Sequence, residues 1–201
     1  PDYNEAIRRD ANYAEAFQNR GVLHRARGEN RLSLADLTRA TQLRPGYTLA
    51  HFNRGVTLQA MNLLDAAAAS YSEAIRLDPT YADAYHNRGM VYRLLAQHDL
   101  ALADFNRALE LDPDNHEAYN GRAGLYLDCD DLVRALDDYN VAVRLNPSCP
   151  VCLRARGEVH YRLGDHQALL ALGVLAERDR AGVLGEDRLV LRRARLEKLG
   201  H

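Results

Sequence analysis

Tryptophan is absent, lysine occurs once (Lys198), and only three cysteines and six prolines are spread over 201 residues. Each shortage narrows the field. Three unevenly placed cysteines cannot make the dense disulfide framework of a small secreted domain, and they suit a reducing compartment. No apolar run approaches the roughly 20 residues needed to cross a bilayer. The first residues lack the charged, apolar and small-residue succession of a secretory leader. The chain therefore reads as intracellular, in the cytoplasm, with no membrane span. A net charge of −2 lacks the positive excess that neutralises phosphates, which argues against nucleic acid as a partner. There is no phosphate-cradling glycine loop and no nucleophile elbow. Histidines and acidic residues are scattered, so no catalytic, cofactor or metal site is expected and the chain is read as a non-enzyme.

What the chain has in abundance is likeness to itself. Shifted by 34 residues, it superimposes on its own pattern. Gly21, Gly55, Gly89 and Gly157 share one column, with Ala123 in the gap; Arg20, Arg54, Arg88, Arg122 and Arg156 share the column before it. Ala40, Ala74, Ala108, Ala142 and Ala176 form a third column, and Pro45, Pro79, Pro113 and Pro147 a fourth. The best-kept copy is 82–115. In its first half Ala84, Tyr85, Val91, Tyr92 and Leu95 recur at helical spacing, and in its second half Leu102, Phe105, Ala108, Leu109 and Leu111 do so. Gly89 and Ala108 are small where two helix backbones must approach. A glycine inside a helix costs about 1 kcal/mol relative to alanine, so its recurrence needs a packing reason. Pro113 cannot donate to the helical ladder and stops the second helix, and it pushes Asp112 out of helical geometry. One such hairpin cannot bury its apolar face alone, so stacked neighbours must complete the core.

The copies divide the chain into the second helix of a truncated preceding copy (1–13), four full copies (14–47, 48–81, 82–115 and 116–149), a degenerate copy (150–183) and a C-terminal capping helix (184–201). Helices are expected near 14–27 and 31–43, with Gly28 in the turn between them, Asn62 in the next turn, and Asp128, Asp130 and Asp131 around the fourth. Gly173 replaces the aromatic of Tyr71, Phe105 and Tyr139, so the last second helix should be irregular. Leu189, Leu196 and Leu199 would pack the capping helix onto it. With two helices per copy, about eleven to thirteen helices and no sheet follow. The truncated start predicts an exposed apolar face near Tyr3 and Ile7, open to contacts with the rest of a longer parent protein.

These columns resemble the tetratricopeptide repeat (TPR) family over nearly all of 1–183. The resemblance implies an all-α, right-handed solenoid of antiparallel helix pairs, with the first helices lining a concave groove. It implies a scaffold that binds an extended peptide or a helix of another protein and needs no cofactor. Two residues before the small glycine, Asn19, Asn53 and Asn87 make an asparagine ladder, broken at Gly121 and Ala155. It is similar to the ladder in the arrays of protein O-linked N-acetylglucosamine transferases. An amide carries both donors and an acceptor, so a row of them could hold a peptide backbone. Solvent-facing amides, or amides bonded to a neighbouring helix, are the plainer alternatives. The ladder keeps a second function open, the substrate-recognition arm of a glycosyltransferase-like enzyme whose catalytic domain lies outside this chain. The family's clamp for acidic C-terminal tails is not expected. Gln18, Phe52 and His86, then Val22, Val56 and Met90, occupy its columns without the needed basic and amide groups. The expected groove combines the three asparagines with an apolar patch of Phe52, Val56 and Met90 and two basic residues, Arg25 and Arg93.

Two further features call for a physical reading. Asp2, Asp36, Asp104 and Asp138 form an acidic column broken at Ser70. Bidentate arginine–aspartate pairs between helices would explain both charged columns, since half-buried arginines need partners, and Arg88 and Arg122 should each reach one of these carboxylates. Cys149-Pro-Val-Cys152 is a lone CxxC. A zinc site would need two more ligands, and no βαβ pattern of a thioredoxin-like protein surrounds it. It is read as two thiols, one in a loop and one in a first helical turn.

Overall fold

The computed structural model describes residues 2–164, which form ten α-helices and no strand. They are α1 (Tyr3–Arg9), α2 (Ala14–Ala26), α3 (Asn30–Leu43), α4 (Thr48–Ala60), α5 (Leu64–Leu77), α6 (Ala82–Leu94), α7 (His98–Leu111), α8 (His116–Asp128), α9 (Leu132–Leu145) and α10 (Pro150–Arg162). The expected second helix of the last copy and the C-terminal cap lie outside the described residues. Among the described residues no helix is long and apolar enough to cross a membrane.

The ends of the helices follow from two recurring backbone devices. Second helices stop at Arg44, Asp78, Asp112 and Asn146, whose φ lies between −138° and −133°. Each precedes a proline, which forbids the helical region to its neighbour. First helices stop one residue before a left-handed turn at Gly28, Asn62, Ala96, Asp130 and Gly164, with φ from 55° to 77°. The next amide then returns to a carbonyl five residues back, as from Glu29 to His24 (2.9 Å) and from Gln97 to Tyr92 (2.8 Å). This satisfies a carbonyl that the helix end would otherwise orphan. At the helix starts Asp2, Asn115 and Asp131 accept from amides three residues on.

Packing is dictated by size matching. Within the second pair, Gly55 faces the ring of Tyr71, and a Cβ there would lie 2.6 Å from the ring carbon Cε1. Only hydrogen fits. Leu37, Tyr71 and Phe105 fill the same register in successive pairs and are fully buried, with Tyr139 nearly so. Ala40, Ala74, Ala108 and Ala142 close the other end of each second helix and expose nothing. The first helices α2, α4, α6 and α8 each also touch the first helix of the next pair, whereas successive second helices among the described residues make at most marginal contact. A stack that is closer on one side than the other must curve, so the first helices lie on the inner side. The first short helix, α1, carries no buried residue, and Tyr3 and Ile7 are half-buried against the array.

Candidate partner-binding surface

The rigidity of the inner wall starts with the arginine column. Arg20, Arg88 and Arg122 each direct Nε and Nη2 at both carboxylate oxygens of Asp36, Asp104 and Asp138, at 2.7–2.8 Å. The expected pairing of Arg88 and Arg122 is therefore met. The same guanidiniums reach backward as well. Nη1 donates to Asn4, Ser72 and Asn106 on the preceding second helix, at 2.7–2.9 Å. Each arginine thus ties three helices together, its own, its partner and the one behind. Arg88 also lies between the rings of Tyr85 and Tyr92, 5.7 and 5.6 Å from their centroids. Hydrogen bonding to Asp36 and Asp138 holds Arg20 and Arg122 more firmly charged than usual. At Arg88 burial pulls the other way, and the bond and charge of Asp104 outweigh it. Asn4 and Asn106, with Asn140, which accepts from Nη1 of Arg156 at 3.4 Å, stand in one column of the 34-residue period, a signal present in the sequence but not used above.

The eight residues expected in the groove fall into three groups. Asn19 is exposed on α2. Asn87 on α6 is half-buried and donates its amide to the carbonyl of Asp83 (2.8 Å), leaving its own oxygen to accept. Asn53 on α4 is buried and bonded through both its nitrogen and its oxygen. It donates to the carbonyl of Leu49 (3.0 Å) and accepts from Arg25 of α2 at 3.4 Å. Arg25 is thereby part of a brace between two first helices. Arg93 makes a second brace, a pair of hydrogen bonds from α6 to Asp128 of α8 at 2.5 and 3.2 Å. The guanidinium rests on Gly124, where a Cβ would come within 2.6 Å of it. The apolar residues sit partly within the core. Phe52 packs at 5.7 and 4.8 Å, centroid to centroid, on Tyr71 and Tyr81. Val56 joins the cluster around Tyr71, and Met90 the cluster around Phe105 and Leu125. All three are half-buried.

The reading of Cys149 and Cys152 as two thiols is corrected, because the two are joined in a disulfide with a Cα–Cα distance of 5.4 Å. Cys149 occupies the N-cap of α10, and its sulfur accepts from the amide of Cys152 at 3.2 Å. Residues three apart at a helix start share a face, which brings the sulfurs together. Cys152 stands in a register otherwise held by Ala16, Ala50, Ala84 and Ala118 and is as buried as they are. The remaining cysteine, Cys129, is exposed, 3.3 Å from Nδ1 of His98. Among the described residues no group of three or more metal-ligating side chains comes together.

Comparison with known proteins fixes the class. Residues 82–115 match the family described as "Tetratricopeptide repeat", 105–137 match another of the same description, and 60–95 match "TPR repeat". Residues 60–137 of the chain belong to the tetratricopeptide repeat family. No curated protein sequence matches it. Several solved structures share the fold. YrrB, described as a TPR protein with an unusual peptide-binding site, aligns at a TM-score of 0.69 and 20% identity, over 97% of this chain and 98% of its own. MamA from Desulfovibrio magneticus RS-1 aligns at 0.72 and 20% identity, over 84% and 96%. The first TPR of Spaghetti (RPAP3), bound to the HSP90 peptide SRMEEVD, aligns at 0.56 and 22% identity, over 58% and 93%. Arrays of this family are generally non-catalytic scaffolds.

Proposed function

We propose that this chain is a protein-interaction scaffold that holds an extended or helical segment of another protein along its inner wall. The observation that carries the reading is the exposed amide of Asn19 and the unengaged side-chain oxygen of Asn87, on a wall braced by Arg25–Asn53 and Arg93–Asp128. A braced wall loses little freedom when it binds, and preorganisation lowers the cost of association. Asn19 and the carbonyl of Asn87 would bond the backbone of the segment. The exposed edges of Phe52, Val56 and Met90 would supply apolar contact, and Arg25 and Arg93 would favour acidic side chains. Asn53 supports Arg25 rather than the ligand directly. The peptide-binding description of YrrB and the peptide bound to Spaghetti support this use of the fold. The chain itself would carry no reaction. If it is the recognition arm of a larger enzyme, which the three-asparagine row favours, the same wall would receive the substrate.

The test uses peptides selected from a displayed library against the wild-type chain. Their affinity is compared with that for the triple change Asn19→Ala, Asn53→Ala, Asn87→Ala, with circular dichroism confirming that the variant is folded. The reading expects binding at least about tenfold weaker. Asn19→Ala alone, at an exposed position, should weaken binding without touching the fold. A folded triple variant that binds as tightly as the wild type removes the amides from the mechanism.

A further inference from the structure

We infer that Arg54 is the receiving half of a carboxylate-binding site whose acidic half comes from outside this chain. In three of the four complete helix pairs the Nε–Nη2 edge of the column arginine is closed by Asp36, Asp104 or Asp138. In the second pair the same register holds Ser70. Its hydroxyl accepts from Nε of Arg54 at 3.1 Å and spends its own hydrogen on the carbonyl of Ala66 at 2.9 Å. A serine oxygen therefore stands where a carboxylate would offer about four lone-pair positions. On the other side Nη1 reaches Thr41 Oγ1 only at 3.5 Å, and that hydroxyl donates to the carbonyl of Thr38 at 2.9 Å. Nη2 has no acceptor among the described residues, and it is not sealed from solvent. Glu73, whose charge is felt at Arg54, is held by both of its oxygens on Arg76, at 2.6 and 2.9 Å.

The chemistry selects the ligand. A half-buried cation without a counter-charge is a costly arrangement. The planar guanidinium fork matches a two-oxygen, planar anion. The register is the one that aspartate fills in the neighbouring pairs, where the carboxylate closes the Nε–Nη2 edge that the Ser70 hydroxyl meets only at Nε. The anion that would complete the pairing at Nη2 is a small carboxylate or the side chain of an aspartate or glutamate presented by a bound segment. Burial lowers the charge-holding tendency of Arg54, while Arg20, Arg88 and Arg122 are held up by their partners. That contrast follows from a serine standing where the other three pairs have an aspartate.

Formate is the probe, exchanged for chloride at constant ionic strength. The readout is the Arg54 Nε–H resonance, assigned by its loss in Arg54→Lys. In the wild type the signal should shift saturably with formate. In Ser70→Asp, which supplies the carboxylate from within, it should be shifted from the start and should not respond. A non-saturating drift in the wild type, or an equal response in Ser70→Asp, overturns the proposal. A short peptide with one glutamate, against the same peptide with glutamine, separates the two sources. Saturation by the glutamate peptide at a concentration at least about tenfold below formate assigns the site to an acidic side chain of another chain. A peptide no better than formate assigns it to a free carboxylate.

Discussion

An arginine gripped by both oxygens of an aspartate, and gripping a polar side chain behind it, is the unit that recurs through this array. Its worth lies in what is left when half is removed. Asp138 is 7% exposed, and Arg122→Leu would strand it. The loss should be about 3–5 kcal/mol, most of it recovered when Asp138→Leu is added. Urea unfolding of the two single variants and the double variant measures this, and additive losses would refute it. A second prediction concerns protons. Burial lowers His51 and His86 from the ordinary 6.5, and their Nδ1 atoms are buried without partners. The unfolded chain then binds protons that the folded chain refuses. Stability should be full above about pH 6.5 and fall as the pH drops below it, by up to about 1.4 kcal/mol per unit per histidine, until the lowered values are reached. His86→Phe, placed beside the Phe105 ring, should flatten that slope below about pH 6.5; an unaltered slope would contradict the assignment. The paired columns were legible because the period places arginine and aspartate a fixed 16 residues apart in each copy. The fates of Asn19, Asn53 and Asn87 were not. The three are identical in pattern, yet only Asn53 has an arginine, Arg25, on the first helix before it. The corresponding position before Asn87 is Gln59, and that residue is taken by Tyr71, whose hydroxyl donates to it at 2.9 Å.

At the scale of helices and turns, the left-handed column shows where pattern and propensity part. Gly28, Asn62 and Gly164 tolerate positive φ, and such residues announce a turn in the sequence. Ala96 does not. It adopts φ 55° because the period and the returning Gln97 amide demand it. A left-handed alanine costs about 1–2 kcal/mol, partly offset in a glycine by greater freedom of the unfolded chain. Ala96→Gly should therefore stabilise the fold by roughly 0.5–1 kcal/mol, raising the denaturant midpoint, and a lower midpoint would count against the turn. The opposite change at Gly55 should cost about 1–3 kcal/mol, because the ring of Tyr71 has to move. Second-helix ends were readable from the proline column alone. The Cys149–Cys152 bridge was not, since the spacing CxxC does not say that Cys149 will cap the helix that holds Cys152.

Across the whole molecule, equivalence between copies turns local geometry into a surface. First helices that touch one another and second helices that scarcely do bend the stack, which puts α2, α4 and α6, the carriers of Asn19, Asn53 and Asn87, on its inner side. The central claim is that this side, and not the outer one, receives another protein. Photoreactive residues placed one at a time answer it, at Asn19 on α2 and Asn87 on α6, then at the exposed outer positions Arg39 on α3 and Glu110 on α7. Each variant is irradiated with the tightest library-selected peptide. The account predicts cross-links from positions 19 and 87 and none from 39 and 110. Cross-links confined to 39 and 110 would contradict it.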